Sequence, residues 1–158
     1  MIDERNLTKY YNDIANQLDD MIPVEWNKII MYAEENGMST IANFYFYTKQ
    51  DNKIHYSSNI PEDFSVSRDI YKQLLRELWS SIEGLWNEFK KADEKPWYTL
   101  TFTLESDWRF NAEFGYELDE EIGDFERRLL WAYNEIGLIP KDEYAKSVLE
   151  RLLGKNLD

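Results

Sequence analysis

The sequence predicts an α+β fold in which one antiparallel sheet of about five strands, built from two hairpins, is covered by helices. Two observations carry this. Apolar residues recur at helical spacing in four separate segments, and between those segments lie paired strand-like runs joined by short polar turns. The expected order is α, β-hairpin with a possible extra strand, α, β-hairpin, α, α.

Leu7, Tyr10, Tyr11, Ile14, Leu18 and Met21 form the first apolar stripe, which stops at Ile22-Pro23 because proline disfavours a helical residue before it. Two strand-like runs follow, Trp26 to Ala33 and Thr40 to Thr48. Glu34-Glu35-Asn36-Gly37 lies between them, and its Asn-Gly pair readily takes positive φ. Lys53 to Ser57 can add a third strand. Ser67 suits the N-cap of a long helix with Ile70, Leu74, Leu75, Leu78, Trp79, Ile82, Leu85, Trp86 and Phe89 on its apolar face, ending near Lys90-Lys91. The cleanest alternation in the chain comes next, with Tyr98, Leu100, Phe102 and Leu104 set against Thr99, Thr101, Thr103 and Glu105. Glu105-Ser106-Asp107 turns it into a second alternating run, with Trp108, Phe110, Ala112, Phe114 and Tyr116 on one face, so that 97–105 is expected to pair with 108–116. Leu129, Leu130, Tyr133 and Ile136 predict a helix closed by Gly137. Pro140 is expected to begin the last helix, whose apolar face is Tyr144, Val148, Leu149, Leu152 and Leu153.

A chain of 158 residues fits a single domain spanning 1–158, and its 43% hydrophobic and 16% aromatic content is ample for a core. Eighteen Lys and Arg face thirty-one Asp and Glu, a net charge of −13. That balance repels phosphate backbones and anionic lipid, so direct nucleic-acid or membrane binding is disfavoured. No apolar run approaches the roughly 20 residues of a membrane span. Cysteine is absent, which rules out disulfides, thiolate metal sites and cysteine nucleophiles. The polar start Met-Ile-Asp-Glu-Arg-Asn lacks the pattern of a signal peptide, so a cytoplasmic location is expected.

Motifs that carry catalytic chemistry are mostly missing from the sequence. The glycines at 37, 84, 115, 123, 137 and 154 are isolated, so they assemble no phosphate-binding loop. No G-x-S-x-G elbow exists, and the single histidine, His55, reads as a surface or sheet-edge residue. Catalytic, cofactor-binding and metal-binding residues are therefore not assigned. The richest segment is Glu117 to Glu126, E-L-D-E-E-I-G-D-F-E, with six acids and no base. As a calcium loop opening at Asp119 it fails, because Asp124 would stand at the glycine position and Leu130 at the glutamate position. Two readings remain. The segment is a solvated loop and helix start whose acids favour the helix dipole, or it is an anionic docking surface made of Glu117, Asp119, Glu120, Glu121, Asp124 and Glu126. Phe44 to Tyr47 are four consecutive aromatics that must point alternately to both sheet faces, and whether one or both faces are helix-covered stays open.

The segments YYNDIANQLDDMIPVEWNKIIMYAE, NFYFYT, EKPWYTLTFTLES, FNAEFGYE and FERRLLWAYNEIGLIP, in this order, resemble the YezG-like immunity protein family of Firmicutes. The most specific parts are the run from Pro96 to Leu104 and the helix start with Glu126, Arg127 and Trp131. The resemblance implies an antitoxin that neutralises a cognate nuclease toxin of the LXG or a related secreted kind, without catalysis or cofactor. Charge is compatible with it, since a nuclease holds polyanions through basic groups that an acidic protein can occupy. The competing expectations are an adaptor or chaperone-like protein of a secretion system, needing a hydrophobic groove, and a carboxylate-dependent hydrolase, needing a cleft with coupled acids.

Overall fold

The computed structural model describes residues 2–158, and the chain falls into two compact units, one ending at Glu117 and the other spanning Leu118–Asp158. In the first unit Asp3 caps α1 (Glu4–Met21) by accepting the Arg5 N–H at 2.9 Å. Ile14, Leu18 and Met21 are buried, and the helix stops where Ile22 turns extended ahead of Pro23. Trp26 then donates its indole N–H to Asp19 at 2.9 Å, tying the end of α1 to the start of β1 (Trp26–Glu35).

β1 pairs antiparallel with β2 (Thr40–Thr48) on one side and with β4 (Thr99–Glu105) on the other. With β3 (Ile54–Tyr56) beyond β2 and β5 (Phe110–Gly115) beyond β4, the sheet order is β3-β2-β1-β4-β5. The five antiparallel strands and the α+β class match the sequence reading. One face carries Ile29, Met31, Ala33, Phe44, Phe46, Leu100, Phe102 and Leu104, and α1 and α3 (Arg68–Lys91) bury it with Ile14, Leu18, Leu78, Ile82 and Leu85. Tyr45 and Tyr47 are on the opposite face, where Tyr45 pairs with Tyr56 and Tyr47 with Ile54.

The first hairpin differs from expectation. Glu34 and Glu35 belong to β1 and are buried, so the turn is only Asn36–Ser39. Both acids find donors: Glu34 accepts the Tyr32 hydroxyl at 2.6 Å, and Glu35 accepts the Gly37 N–H at 3.1 Å and the Thr40 hydroxyl. Burial pushes the Glu35 carboxyl above its ordinary value. The Asn36 side chain accepts from the Met38 and Ser39 N–H groups, and Gly37 takes φ 87° with Trp86 so near that an added Cβ would lie 3.0 Å from its ring. Gly37→Ala is therefore expected to lower stability by about 1–2 kcal/mol, measured as a shift in the denaturation midpoint.

Past β2, Asp51 accepts from the Thr48 hydroxyl and from the Lys53 N–H at 2.9 Å, and with His55 alongside these bonds hold its carboxyl at about 2, below the ordinary 3.8. A carboxyl lowered by folding contributes stability that is full above its unfolded value and is lost as pH falls through the folded one. Acid titration should thus show a loss between about pH 4 and 2 that Asp51→Asn shallows, read by circular dichroism. After β3 a 3-10 turn, Ser57–Asn59, runs into a single helical turn, α2 (Ile60–Asp63), which the sequence reading did not anticipate. Ser57 is buried there, its hydroxyl accepting the Phe44 N–H at 3.1 Å.

Ser67 caps α3 through the Ile70 N–H. Its buried residues include Tyr71, Leu78 and Leu85 at seven-residue steps, whereas Ile70, one position off this row, is 56% exposed and not part of the apolar face expected of it. In the second hairpin Leu100 pairs with Phe114 and Leu104 with Phe110, but Trp108 is not a strand residue. It occupies the third position of a three-residue loop, with its N–H bonded to the Glu105 carbonyl and φ at 70°.

The second unit contains α4 (Asp124–Ile136), ended by Gly137 at φ 65°, and α5 (Glu143–Leu153). Leu129, Ala132, Ala145, Val148 and Leu149 form its small core. Pro140 does not begin α5 as expected, because Asp142 is the cap, accepting the Ala145 N–H at 2.9 Å while its own backbone is extended. After α5 the chain is held by Glu150, which accepts the Leu157 N–H, and by the Lys146–Asp158 ion pair at 2.6 Å.

Candidate protein-binding surface

The acidic stretch begins at Glu117, the last residue of the first unit, and its other members belong to the second. Residues 118–123 form an irregular loop, and Asp124 opens α4. Glu117, Asp119, Glu120, Glu121 and Asp124 are exposed. Arg127 on the first turn of α4 reaches back to donate to the carbonyls of Asp119, at 2.7 Å, and Ile122, so the loop is clamped by its backbone. Within it the Asp119 carboxylate accepts the Glu121 N–H at 3.1 Å.

Glu126 differs from the rest. Its carboxylate accepts the N-cap Gly123 N–H at 3.2 Å, the half of a capping box that a glycine cap permits, and it pairs with Arg151 of α5 at 3.4 Å. Those partners account for its place at the helix start, and within the second unit Asp119, Glu120, Glu121 and Asp124 remain as exposed acids of the stretch.

A carboxylate-dependent hydrolase needs a cleft with coupled acids or a metal centre. Among the described residues no group of three or more His, Asp or Glu is arranged to hold a metal ion. His55 lies in the edge strand β3, stacked on Phe46 at 5.4 Å, tilted against Phe64, and 3.5 Å from Asp51. It is packed as a structural residue. Two open depressions occur in the first unit: one of about 400 Å³ between Phe89, Glu94, Lys95 and Tyr116, and one of about 390 Å³ beside Trp26 and Trp108. Among the described residues no helix is long and apolar enough to cross a membrane.

The molecule is a two-unit α+β protein, strongly acidic and with aromatic and carboxylate side chains exposed. The comparisons give that class its family. Residues 7–150 match the family model described as immunity protein YezG-like. The chain is 39% identical over 146 residues to the immunity protein YezG of Bacillus subtilis (strain 168), covering 91% of this chain and 97% of that one. It is 37% identical over 157 residues to the immunity protein YezG of Bacillus spizizenii, covering 98% of each. It is also 32% identical over 146 residues to the type VII secretion system protein EsaG of Staphylococcus aureus, covering 89% of this chain and 88% of that one. The chain belongs to the YezG-like immunity protein family. Its role is immunity through binding a toxin protein, and it is not an enzyme.

Proposed function

We propose that the chain is the cytoplasmic antitoxin of a secreted nuclease toxin encoded beside it, which it inhibits by occupying the positively charged surface that holds nucleic acid. Membership of an immunity family supplies the toxin as partner, and the observation that carries the nuclease reading is the charge: −13 over 158 residues matches an enzyme that must be positive where phosphates bind. The contact surface in this reading includes the exposed acids Glu117, Asp119, Glu120, Glu121 and Asp124. Glu126, the sixth acid of the stretch, supports the surface by capping α4.

The test mixes purified chain with the nuclease domain of the adjacent toxin. Co-elution and loss of nucleic-acid cleavage at stoichiometric ratio are expected, and so is rescue of cells that express the toxin. Cleavage at full rate in an excess of the chain rejects the reading.

A further inference from the structure

The backbone at Trp108 is in a conformation that its own side chain opposes. Four described non-glycine residues have positive φ, and two of them, Asn52 and Asp93, are of the types that tolerate it. Trp108 is bulky, and a three-residue hairpin loop with a left-handed third position is normally completed by glycine. Burial does not compensate in full, because Trp108 is 46% exposed and meets Trp26 edge-on at 6.0 Å between ring centres. Strained backbone carrying an exposed indole is found where a surface has work to do.

The ring borders the 390 Å³ groove, whose apolar lining includes Pro23, Val24 and Trp26 and whose acids are Asp19 and Glu25. Asp19 is already bonded to the Trp26 indole, whereas the exposed Glu25 carboxylate makes no hydrogen bond or ion pair with any described residue. Lys49 also lines the groove. Residues 1–117 as a whole carry twelve Lys and Arg against twenty-one Asp and Glu.

We propose that this groove seats an arginine side chain of the toxin, its guanidinium lying on the face of Trp108 with Glu25 as counter-charge. The inference rests on the antitoxin reading and adds to it an anchoring contact within the first unit. Tryptophan gives the strongest cation–π face, and arginine stacks through its planar group while keeping its edge donors for a carboxylate. Tryptophan and arginine are also the residues most enriched among those that dominate binding energy. The indole already rests edge-on against Trp26, which lowers the side-chain entropy lost on contact.

The experiment compares wild type with Trp108→Gly, Trp108→Asn and Glu25→Lys, each titrated against the nuclease domain of the adjacent toxin. Gly and Asn suit a φ of 70°, so both Trp108 variants are expected to keep or raise the melting temperature while Kd increases at least thirtyfold. Glu25→Lys alters an exposed side chain with no partner to lose and should fold unchanged, with Kd raised at least fivefold. It decides the question even if the Trp108 variants fail to fold. Wild-type affinity retained by Glu25→Lys and by a folded Trp108 variant overturns the groove while leaving the antitoxin reading intact. A wild-type chain that does not bind the toxin overturns both. If Trp108→Gly instead converts a dimer to a monomer with toxin affinity unchanged, the groove belongs to a second copy of the chain and the arginine assignment is rejected.

Discussion

Trp97→Ala should lower the stability of the chain by about 3–5 kcal/mol, the cost of emptying the space of a large, fully buried aromatic side chain. Trp97 has no solvent exposure and packs against Phe114 at 5.2 Å and Phe89 at 6.3 Å between ring centres. Its backbone carbonyl accepts the Trp86 indole N–H at 2.9 Å, a bond that alanine retains. Its own indole nitrogen makes no hydrogen bond with a described residue. The loss is therefore one of apolar transfer and cavity, without a stranded polar partner. Trp97→Phe, which keeps most of the volume and sacrifices no hydrogen bond, should cost less than half as much. Urea denaturation of the two variants checks both values, and equal losses would mean that the indole nitrogen carries a contact the packing does not show.

The same residue shows how the sequence could reveal a family before a site. Trp97 lies in the run Pro96 to Leu104, one of the two most specific parts of the resemblance, and residues 99–104 of that run belong to β4, with Leu100, Phe102 and Leu104 wholly buried. Its pattern was legible because alternation with period two is imposed by a half-buried strand. Elements set by side-chain hydrogen bonding were less legible. Glu34 and Glu35 read as turn residues because carboxylates are rarely buried, and donors such as the Tyr32 hydroxyl, the Thr40 hydroxyl and the Gly37 N–H make their burial tolerable. Trp108 continued the apolar alternation of 110, 112 and 114, and nothing in E-S-D-W-R states that the loop closes one residue later.

The acidic stretch was legible as a run of charge but not as a division of labour. Glu126 has a partner, Arg151, twenty-five residues further on, and that pairing exists only once α4 and α5 pack. The family resemblance, in turn, located no interface, since its motif residues such as Trp97 and Leu100 serve the core. Surface residues that recognise one toxin and not another have no reason to follow the periodicity of strands or helices, so a single sequence leaves them unmarked.

Reversing Asp119, Glu120, Glu121 and Asp124 to Lys should slow association with the toxin nuclease domain by roughly ten- to a hundredfold at low salt while leaving the fold in place. Each reversal adds two charges, so the net charge moves from −13 to −5 and the local potential at the loop changes sign. The loop keeps its shape because its clamp is the Arg127 guanidinium on the backbone carbonyls of Asp119 and Ile122, which the substitutions leave in place. Glu126 is left unchanged because it caps α4. What the fold loses is the Asp119 bond to the Glu121 N–H and a favourable charge at the helix start, together on the order of 1 kcal/mol. Rim charges act chiefly through the encounter of the partners, so the effect belongs to kon, and the dissociation rate should change far less. Salt supplies the control: with a Debye length of about 8 Å at 0.15 M, the wild-type rate should fall steeply as salt is added while the variant's stays flat, and the two should converge above about 0.5 M. Stopped-flow association across a salt series reads this directly. Identical rates at every salt concentration would return the stretch to a solvated loop and helix start, and would move the electrostatic contact to acids elsewhere on the chain.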